Sequence, residues 1–317
     1  MVRIVDAGEE SPLPVARALA DGIDPGRWLA DNAASLEAAL DAHGALLLRG
    51  FACDESSFGA AVERASGDLL AYTFRSTPRS TVKGLVYTST EYPQDQHIPL
   101  HNEMSYAVEW PRRLWLLCIC PATTGGATPV ADSIAVRSKI PAGIRERFES
   151  HGVEYRRRYG PHLDLPWQEG FQTSDRAQVE AECRHQRVRY EWLDHDNLVT
   201  SVVRPASLVH PRSGALVWFN QAHLFHPSAL GSEARDALRG ALGEDGMPRG
   251  VYLGDGSPIS DEDVAAINHA YAEAAVDIEW RSGDLLVVDN ERMAHGRRPF
   301  TGPRRIIVAM SRPAIAA

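Results

Sequence analysis

The chain has 317 residues, 44% of them hydrophobic and 24% charged, with a formal net charge of −9. These totals are ordinary for a globular protein, and the negative balance argues against nucleic acid or an anionic membrane as the main partner. Four cysteines with no Cys-x-x-Cys pair exclude a zinc ribbon and a thioredoxin-type centre, and no apolar run is long enough to cross a bilayer.

The first 30 residues mix polarity and predict a short strand and a helix, and they lack the apolar core of a signal peptide. With reduced thiols, that reading places the protein in the cytoplasm. From Asn32 to His43, Leu36, Ala39 and Leu40 recur at helical spacing, and Gly44 follows as a C-terminal cap. Residues 45–51 then read as a strand, and 55–66 as a second helix with Phe58, Ala61 and Val62 on one side. Between Leu69 and Glu109 the chain is rich in Thr, Ser, Tyr and Pro, too polar for a core and too aromatic for a disordered linker. Binding residues concentrate in loops of this kind when a rigid scaffold places them.

Further strands are predicted at 114–120 and 127–132, separated by a Gly125-Gly126 turn. Residues 133–200 differ in character. Helical spacing over 133–147 and 174–187 predicts a helical insertion that caps the mouth of a barrel. Strand-like runs return at 198–203, 215–219, 276–280, 285–288 and 305–310, with a helix over 261–275 capped by Ser260 or Asp261. Many short strands with turn signals predict one domain over 1–317, mainly β with flanking helices, built as a double-stranded β-helix or jelly roll.

His101 and Glu103 stand two residues apart, so in an extended segment both face the same side. The best third partner is His295, which follows the apolar run 285–288 and the Asp289-Asn290 turn. Two imidazoles and one carboxylate on one side of an ion make the facial triad of non-heme Fe(II) oxygenases, with positions left open for a cosubstrate and O2. The basic pair Arg304-Arg305 comes about one strand later. An Arg fork suits the distal carboxylate of 2-oxoglutarate. A rival set, His210, His223 and His226, has no acidic partner and no His-Glu-x-x-His helix. Asp194-His195-Asp196 has no downstream His and Arg at suitable spacing. No Gly-x-Ser-x-Gly elbow and no Gly-rich phosphate loop is present.

Over nearly its whole length the chain resembles the taurine dioxygenase (TauD/TfdA) family of Fe(II)- and 2-oxoglutarate-dependent oxygenases. The resemblance rests on residues 43–51, His101-Asn102-Glu103, residues 125–132, and the closing stretch from Asp289-Asn290 through His295-Gly296-Arg297 to Arg304-Arg305. It implies iron ligation by His101, Glu103 and His295. Thr128 would hydrogen-bond 2-oxoglutarate and Arg305 would pair with its distal carboxylate, Arg304 taking that role if the register slips by one. Most of the family carries Asp where this chain has Glu103. Glu is typical of the branch that includes clavaminate synthase, asparagine oxygenase and the syringomycin-type amino-acid hydroxylases, and Asn102-Glu103-Met104-Ser105-Tyr106 looks most like the last group. A carboxylate there argues against a halogenase, which needs that coordination position for halide.

The implied activity is hydroxylation of an unactivated C–H bond of an amino acid, free or bound to a peptidyl carrier protein, with O2 as the oxidant. Arg75 and Arg79 are candidates to clamp a substrate carboxylate or carrier phosphate. Glu91 is the candidate for an α-amino group, and His97 and Asn220 are the remaining candidate contacts. Each also reads as a solvated or structural residue. Two alternatives stay open: a catabolic dioxygenase of a sulfonate or phenoxy acid, and a cupin-like binding protein without turnover.

Overall fold

A computed structural model describes residues 1–71, 80–89, 92–160, 166–194, 197–243 and 246–315. Its backbone is a large eight-stranded sheet facing a smaller four-stranded one. The large sheet runs in the order Val2–Val5, Val15–Ala18, Ala45–Arg49, Leu285–Asp289, Glu109–Cys120, Arg305–Ile315, Val86–Thr88, Thr81–Lys83. Among the described residues of this sheet, only the pairing of Val15–Ala18 with Ala45–Arg49 is parallel. The small sheet runs Ala275–Ile278, Thr128–Asp132, Met293–Arg297, Ile98–His101. This is the jelly roll that the short apolar runs predict.

Both faces of the large sheet are covered, which explains why its central strands are apolar at consecutive positions. Side chains alternate across a strand. Leu47, Leu114, Leu116, Leu286, Val288, Ile306 and Val308 face the small sheet and share a core with Val130, Ala131 and Ala294. Their neighbours Leu46, Leu48, Trp115, Leu117, Val287 and Ile307 face outward under a helical layer that contributes Leu29, Leu36, Leu40, Phe58 and Val62. Each buried aliphatic or aromatic side chain contributes about 1.5–3 kcal/mol. The layer comes from the helices Pro25–Asp31, Ala33–His43 and Phe58–Ser66, and Gly44 ends the second in the left-handed conformation (φ 72°).

The expected helical insertion over 133–200 is corrected. Helices Ser133–Lys139, Ala142–His151 and Arg176–His185 are present, but strands Val153–Tyr159, Arg189–Trp192 and Leu198–Arg204 lie among them. With Arg249–Leu253 they form a third sheet. The Arg156-Arg157-Arg158 run had concealed the first of these strands. Its alternate residues Val153, Tyr155, Arg157 and Tyr159 are buried, and the Arg157 guanidinium lies 4.7 Å from the Tyr159 ring centre. The helix Asp261–Ala274 carries a capping box from Ser260 and Asp263. Among the described residues no helix is long and apolar enough to cross a membrane.

Candidate metal centre

The strand Ile98–His101 stops at His101, and Glu103 lies in the turn beyond it. Strand alternation therefore does not bring the two side chains together. The turn does, with Met104 in the left-handed region (φ 57°). His295 is in the middle of the strand Met293–Arg297 and pairs directly with His101 across the small sheet. The ladder slips between His295 and Arg297, so Arg297 pairs with Ile98. Bulges of this kind re-aim side chains next to active sites. Gly296 occupies the slip, where a Cβ would lie 2.5 Å from the Ile98 carbonyl oxygen.

The three side chains converge. The imidazole centres of His101 and His295 are 4.6 Å apart, with ring planes 42° to each other. His295 Nε2 lies 3.9 Å from Glu103 Oε2. One ligand atom from each of the three residues lies within 4.8 Å of the others. Glu103 and His295 are buried and His101 is half-buried. His101 Nδ1 is 2.8 Å from the Pro99 carbonyl oxygen, so Nδ1 carries the proton and Nε2 keeps its lone pair. Two imidazoles and one carboxylate form a donor set that suits Fe(II).

Asn290 holds the two halves of this site together. Its Oδ1 accepts the Glu103 N–H at 2.7 Å, and its Nδ2 donates to the carbonyls of Glu103 (2.9 Å) and Pro111 (2.8 Å). Asn102 Nδ2 returns a bond to the Asn290 carbonyl at 2.7 Å. Gln221 Nε2 donates to the Asn102 carbonyl, and His223 Nε2 to the Leu100 carbonyl, each at 2.8 Å. The segment 100–103 is thus tied to two other parts of the chain, residues 221–223 and Asn290, and both Asn102 and Asn290 are fully buried.

A small cavity opens beside the triad, lined by His101, His295, Thr128, Arg304 and the apolar Leu116, Ile306 and Val308. Thr128 Oγ1 accepts the Trp280 indole N–H at 2.9 Å. Arg304 Nε donates to the Gly126 carbonyl at 3.0 Å, and Nη2 lies 3.5 Å from Thr128 Oγ1. Gly126 needs its left-handed backbone (φ 75°), and a Cβ there would press within 3.1 Å of Arg304 Cδ. Burial, with Arg297 nearby, pushes the Arg304 guanidinium down to about 10. No described carboxylate lies within ion-pair distance of it.

The role expected of Arg305 is corrected. The register slips between Arg305 and Ile306, and the Arg305 side chain leaves the cavity to pair with Glu55 at 2.9 and 2.8 Å on the surface. Arg304, one residue earlier, faces the cavity. Asn220 is also corrected as a substrate contact: it is fully buried, its Nδ2 bonded to the Ala206 carbonyl and its Oδ1 to the Ala222 N–H. His97 is exposed, with Arg297, Arg298 and Asp277 nearby, and does not line the cavity. Arg75, Arg79 and Glu91 lie outside the described residues, as do His195 and Asp196.

The rival histidines do not meet. His223 bonds Leu100, His226 bonds Ile259 and Ser228, and His210 bonds Asp289 and Ser213. His210, Asp289 and Glu291 do form a second close group. It is already neutralised, because Arg113 lies 3.1 Å from Asp289 and Arg112 lies 3.4 Å from Glu291. Burial pushes the Asp289 carboxyl up, but the bond to His210 and the Arg113 charge outweigh it and hold the carboxyl low.

Sequence reasoning missed Asn290 as the clamp, Trp280 as the donor to Thr128, and Arg297. Arg297 donates to the carbonyls of Tyr92, Pro93 and Gln96 and so anchors the loop before the Ile98–His101 strand. Asn290 and Arg297 stood inside the closing motif. Trp280 carried no spacing signal.

A family model described as "Taurine catabolism dioxygenase TauD, TfdA family" matches residues 9–310. The dapdiamide synthesis protein DdaC of Enterobacter agglomerans is 39% identical over 275 residues, which cover 86% of this chain and 84% of that one. A clavaminate synthase-like protein of Arabidopsis thaliana is 30% identical over 287 residues, covering 87% and 83%. Among solved structures, PvcB of Pseudomonas aeruginosa superposes with a TM-score of 0.57 at 17% identity, over 98% of this chain and 90% of that one. Asparagine oxygenase superposes with a TM-score of 0.54 at 16% identity, over 90% and 79%.

Proposed function

The chain belongs to the taurine catabolism dioxygenase TauD, TfdA family, and from that premise we propose that it is an Fe(II)- and 2-oxoglutarate-dependent hydroxylase of an amino acid or carrier-bound aminoacyl group, acting in biosynthesis. The observation that carries this reading is a two-His, one-Glu donor set whose two imidazoles share one small cavity with a half-buried Arg304 that has no described carboxylate partner. The donors fit the metal, and the guanidinium fits a dicarboxylate cosubstrate.

In this proposal His101, Glu103 and His295 hold Fe(II). Bound there, the metal supplies O2 activation coupled to decarboxylation of 2-oxoglutarate. The Pro99 carbonyl fixes the His101 tautomer so that Nε2 faces the ion. Arg304 takes the distal carboxylate of 2-oxoglutarate, and Thr128, oriented by Trp280, adds a hydrogen bond. Leu116, Ile306 and Val308 exclude water from that subsite. Arg75, Arg79 and Glu91 remain the proposed substrate clamps. Residues 1–317 are proposed to act as one domain.

The amino-acid reading draws support from the relatives. DdaC is named for dapdiamide synthesis, and the asparagine oxygenase structure holds Fe(II), 3-hydroxyasparagine and succinate. A second PvcB structure is described as that of an Fe, alpha-ketoglutarate dependent oxygenase from an isonitrile synthetic pathway. The synthetic context named for DdaC, at 39% identity, favours this reading over catabolism of a sulfonate or phenoxy acid. The test supplies purified protein with Fe(II), 2-oxoglutarate, O2 and a panel of amino acids, free and loaded on a carrier protein. Succinate release should rise with one of them, and that substrate should gain one oxygen atom. Release stimulated only by taurine or a phenoxyacetate would overturn the reading.

A further inference from the structure

A second cavity, of about 720 Å3, lies at the other end of the same strands. The strand Glu109–Cys120 lends Leu116 to the metal cavity and Arg112 to this one, while Arg305–Ile315 lends Val308 to the first and Ile315 to the second. Four to seven residues of strand separate the two sites by about 13–23 Å. The volume falls in the range of small-molecule sites.

The walls are apolar at Val108, Trp110, Leu208 and Phe219, and they carry an excess of positive charge. Four arginines and two glutamates line the cavity. Glu291 is taken by Arg112 at 3.4 Å and by the Trp110 indole at 3.0 Å. Glu154 is taken by Arg156 at 2.7 Å. Arg187, Arg189 and Arg204 are left with no described carboxylate in ion-pair reach. Arg204 is the informative one. It is only 7% exposed, and it donates to the carbonyls of Tyr106 (3.2 Å), Val203 (3.4 Å) and Gln186. Carbonyl dipoles orient a guanidinium without cancelling its charge, and a buried charge without a counter-charge is costly. Arg187 adds to the charge from a left-handed position (φ 52°) just past the helix Arg176–His185, where glycine is usual. Ser105, 4% exposed, lines the same cavity with a hydroxyl that has no described partner.

We propose that this cavity is a second binding site, for a small organic anion with an apolar body. The three uncompensated guanidinium groups take the carboxylate, sulfonate or phosphate, and Trp110, Phe219 and Leu208 take the frame. The site is separate from the metal cavity and does not depend on the function proposed above.

Anilinonaphthalene sulfonate, an aromatic frame with one anionic group, is the probe. It should bind the full-length protein saturably, at one equivalent per chain, and excess 2-oxoglutarate should not displace it. Arg204 is buried, and its loss risks unfolding, so the test uses the exposed pair Arg187→Gln and Arg189→Gln together, with circular dichroism to check the fold. The double variant should weaken binding by at least about tenfold, since bonds to charged groups are worth about 1.5–3 kcal/mol. The uncharged N-phenylnaphthylamine should bind the wild type at least about tenfold more weakly than the sulfonate. Equal affinity in the variant, equal affinity for the neutral probe, or displacement by 2-oxoglutarate would overturn the proposal. So would a wild-type dimer, seen by analytical ultracentrifugation, that the double variant converts to monomer, because the face would then belong to a second copy.

Discussion

The two cavities stand at opposite ends of the same strands, and each contains an arginine held by carbonyl oxygen without a described carboxylate, half-buried at one end and buried at the other. Arg304 bonds the Gly126 carbonyl at one end, and Arg204 bonds those of Tyr106, Val203 and Gln186 at the other. The difference lies in what surrounds them. Beside Arg304 stand two imidazoles and a carboxylate, locked by Asn290, Asn102 and Gln221. Beside Arg204 the walls are aromatic and aliphatic, and the nearby carboxylates are already paired. A guanidinium without a counter-ion prepares a place for an anion, and chemistry at that place also needs metal donors held at fixed distances.

The sharpest way to break this comparison is to remove a donor. His101→Ala should reduce Fe(II) affinity by more than about 100-fold, since losing a ligand costs more than losing one of its hydrogen-bond partners. Titration calorimetry under anaerobic conditions, and the absorbance of the iron complex with 2-oxoglutarate, would read it. Anilinonaphthalene sulfonate should bind this variant as it binds the wild type. A full-strength absorbance band would remove His101 from the ligand set.

Next in size is Arg304→Met, which should raise the 2-oxoglutarate requirement by about 100-fold, as expected for loss of a charge-assisted bidentate contact. The 2-oxoglutarate dependence of succinate release measures it. An unchanged requirement would move the distal carboxylate elsewhere.

Asn290→Ala tests the clamp. Iron affinity should fall about 10–100-fold, and stability by about 1–3 kcal/mol as the Glu103 and Pro111 backbone groups lose their partner. Metal titration and urea unfolding report the two effects separately. Loss of stability with unchanged iron affinity would make Asn290 a fold residue only.

Arg305→Ala should be the smallest effect, less than about twofold in the 2-oxoglutarate requirement, because an exposed pair such as Arg305–Glu55 is worth about 0–1 kcal/mol. A loss as large as that of Arg304→Met would restore Arg305 to the cavity.

Much of the fold was legible because burial leaves a periodic trace. Leu46-Leu47-Leu48 and Leu285-Leu286-Val287-Val288 are apolar at every position because both faces of their sheet are covered. The third sheet was obscured for the converse reason. Val153–Tyr159 buries alternate residues but carries three consecutive arginines, and the stacking of Arg156 on Tyr252 and of Arg157 on Tyr159 helps a strand hold what reads as a polar segment. At the candidate site, spacing singles out His101, Glu103 and His295, and Thr128 comes from the family resemblance alone. The choice between Arg304 and Arg305 was not legible, because a slip of one residue at a strand's edge reverses which side chain faces in.

The amino-acid sequence by itself determined the succession of apolar runs that makes two facing sheets, and the residue types able to hold a metal and a dicarboxylate. Those follow from local chemistry, since hydrophobic period and ligand type belong to each segment alone. Tertiary structure alone decided which arginine enters the candidate metal cavity, that Asn290 joins the Glu103 turn to the His295 strand, and that Arg187, Arg189 and Arg204 line one cavity at the far end with no described carboxylate in ion-pair reach. Each of these outcomes depends on contacts between segments distant in the chain. Whether a charge there is neutralised is a property of the assembled wall, and no single stretch of sequence contains it.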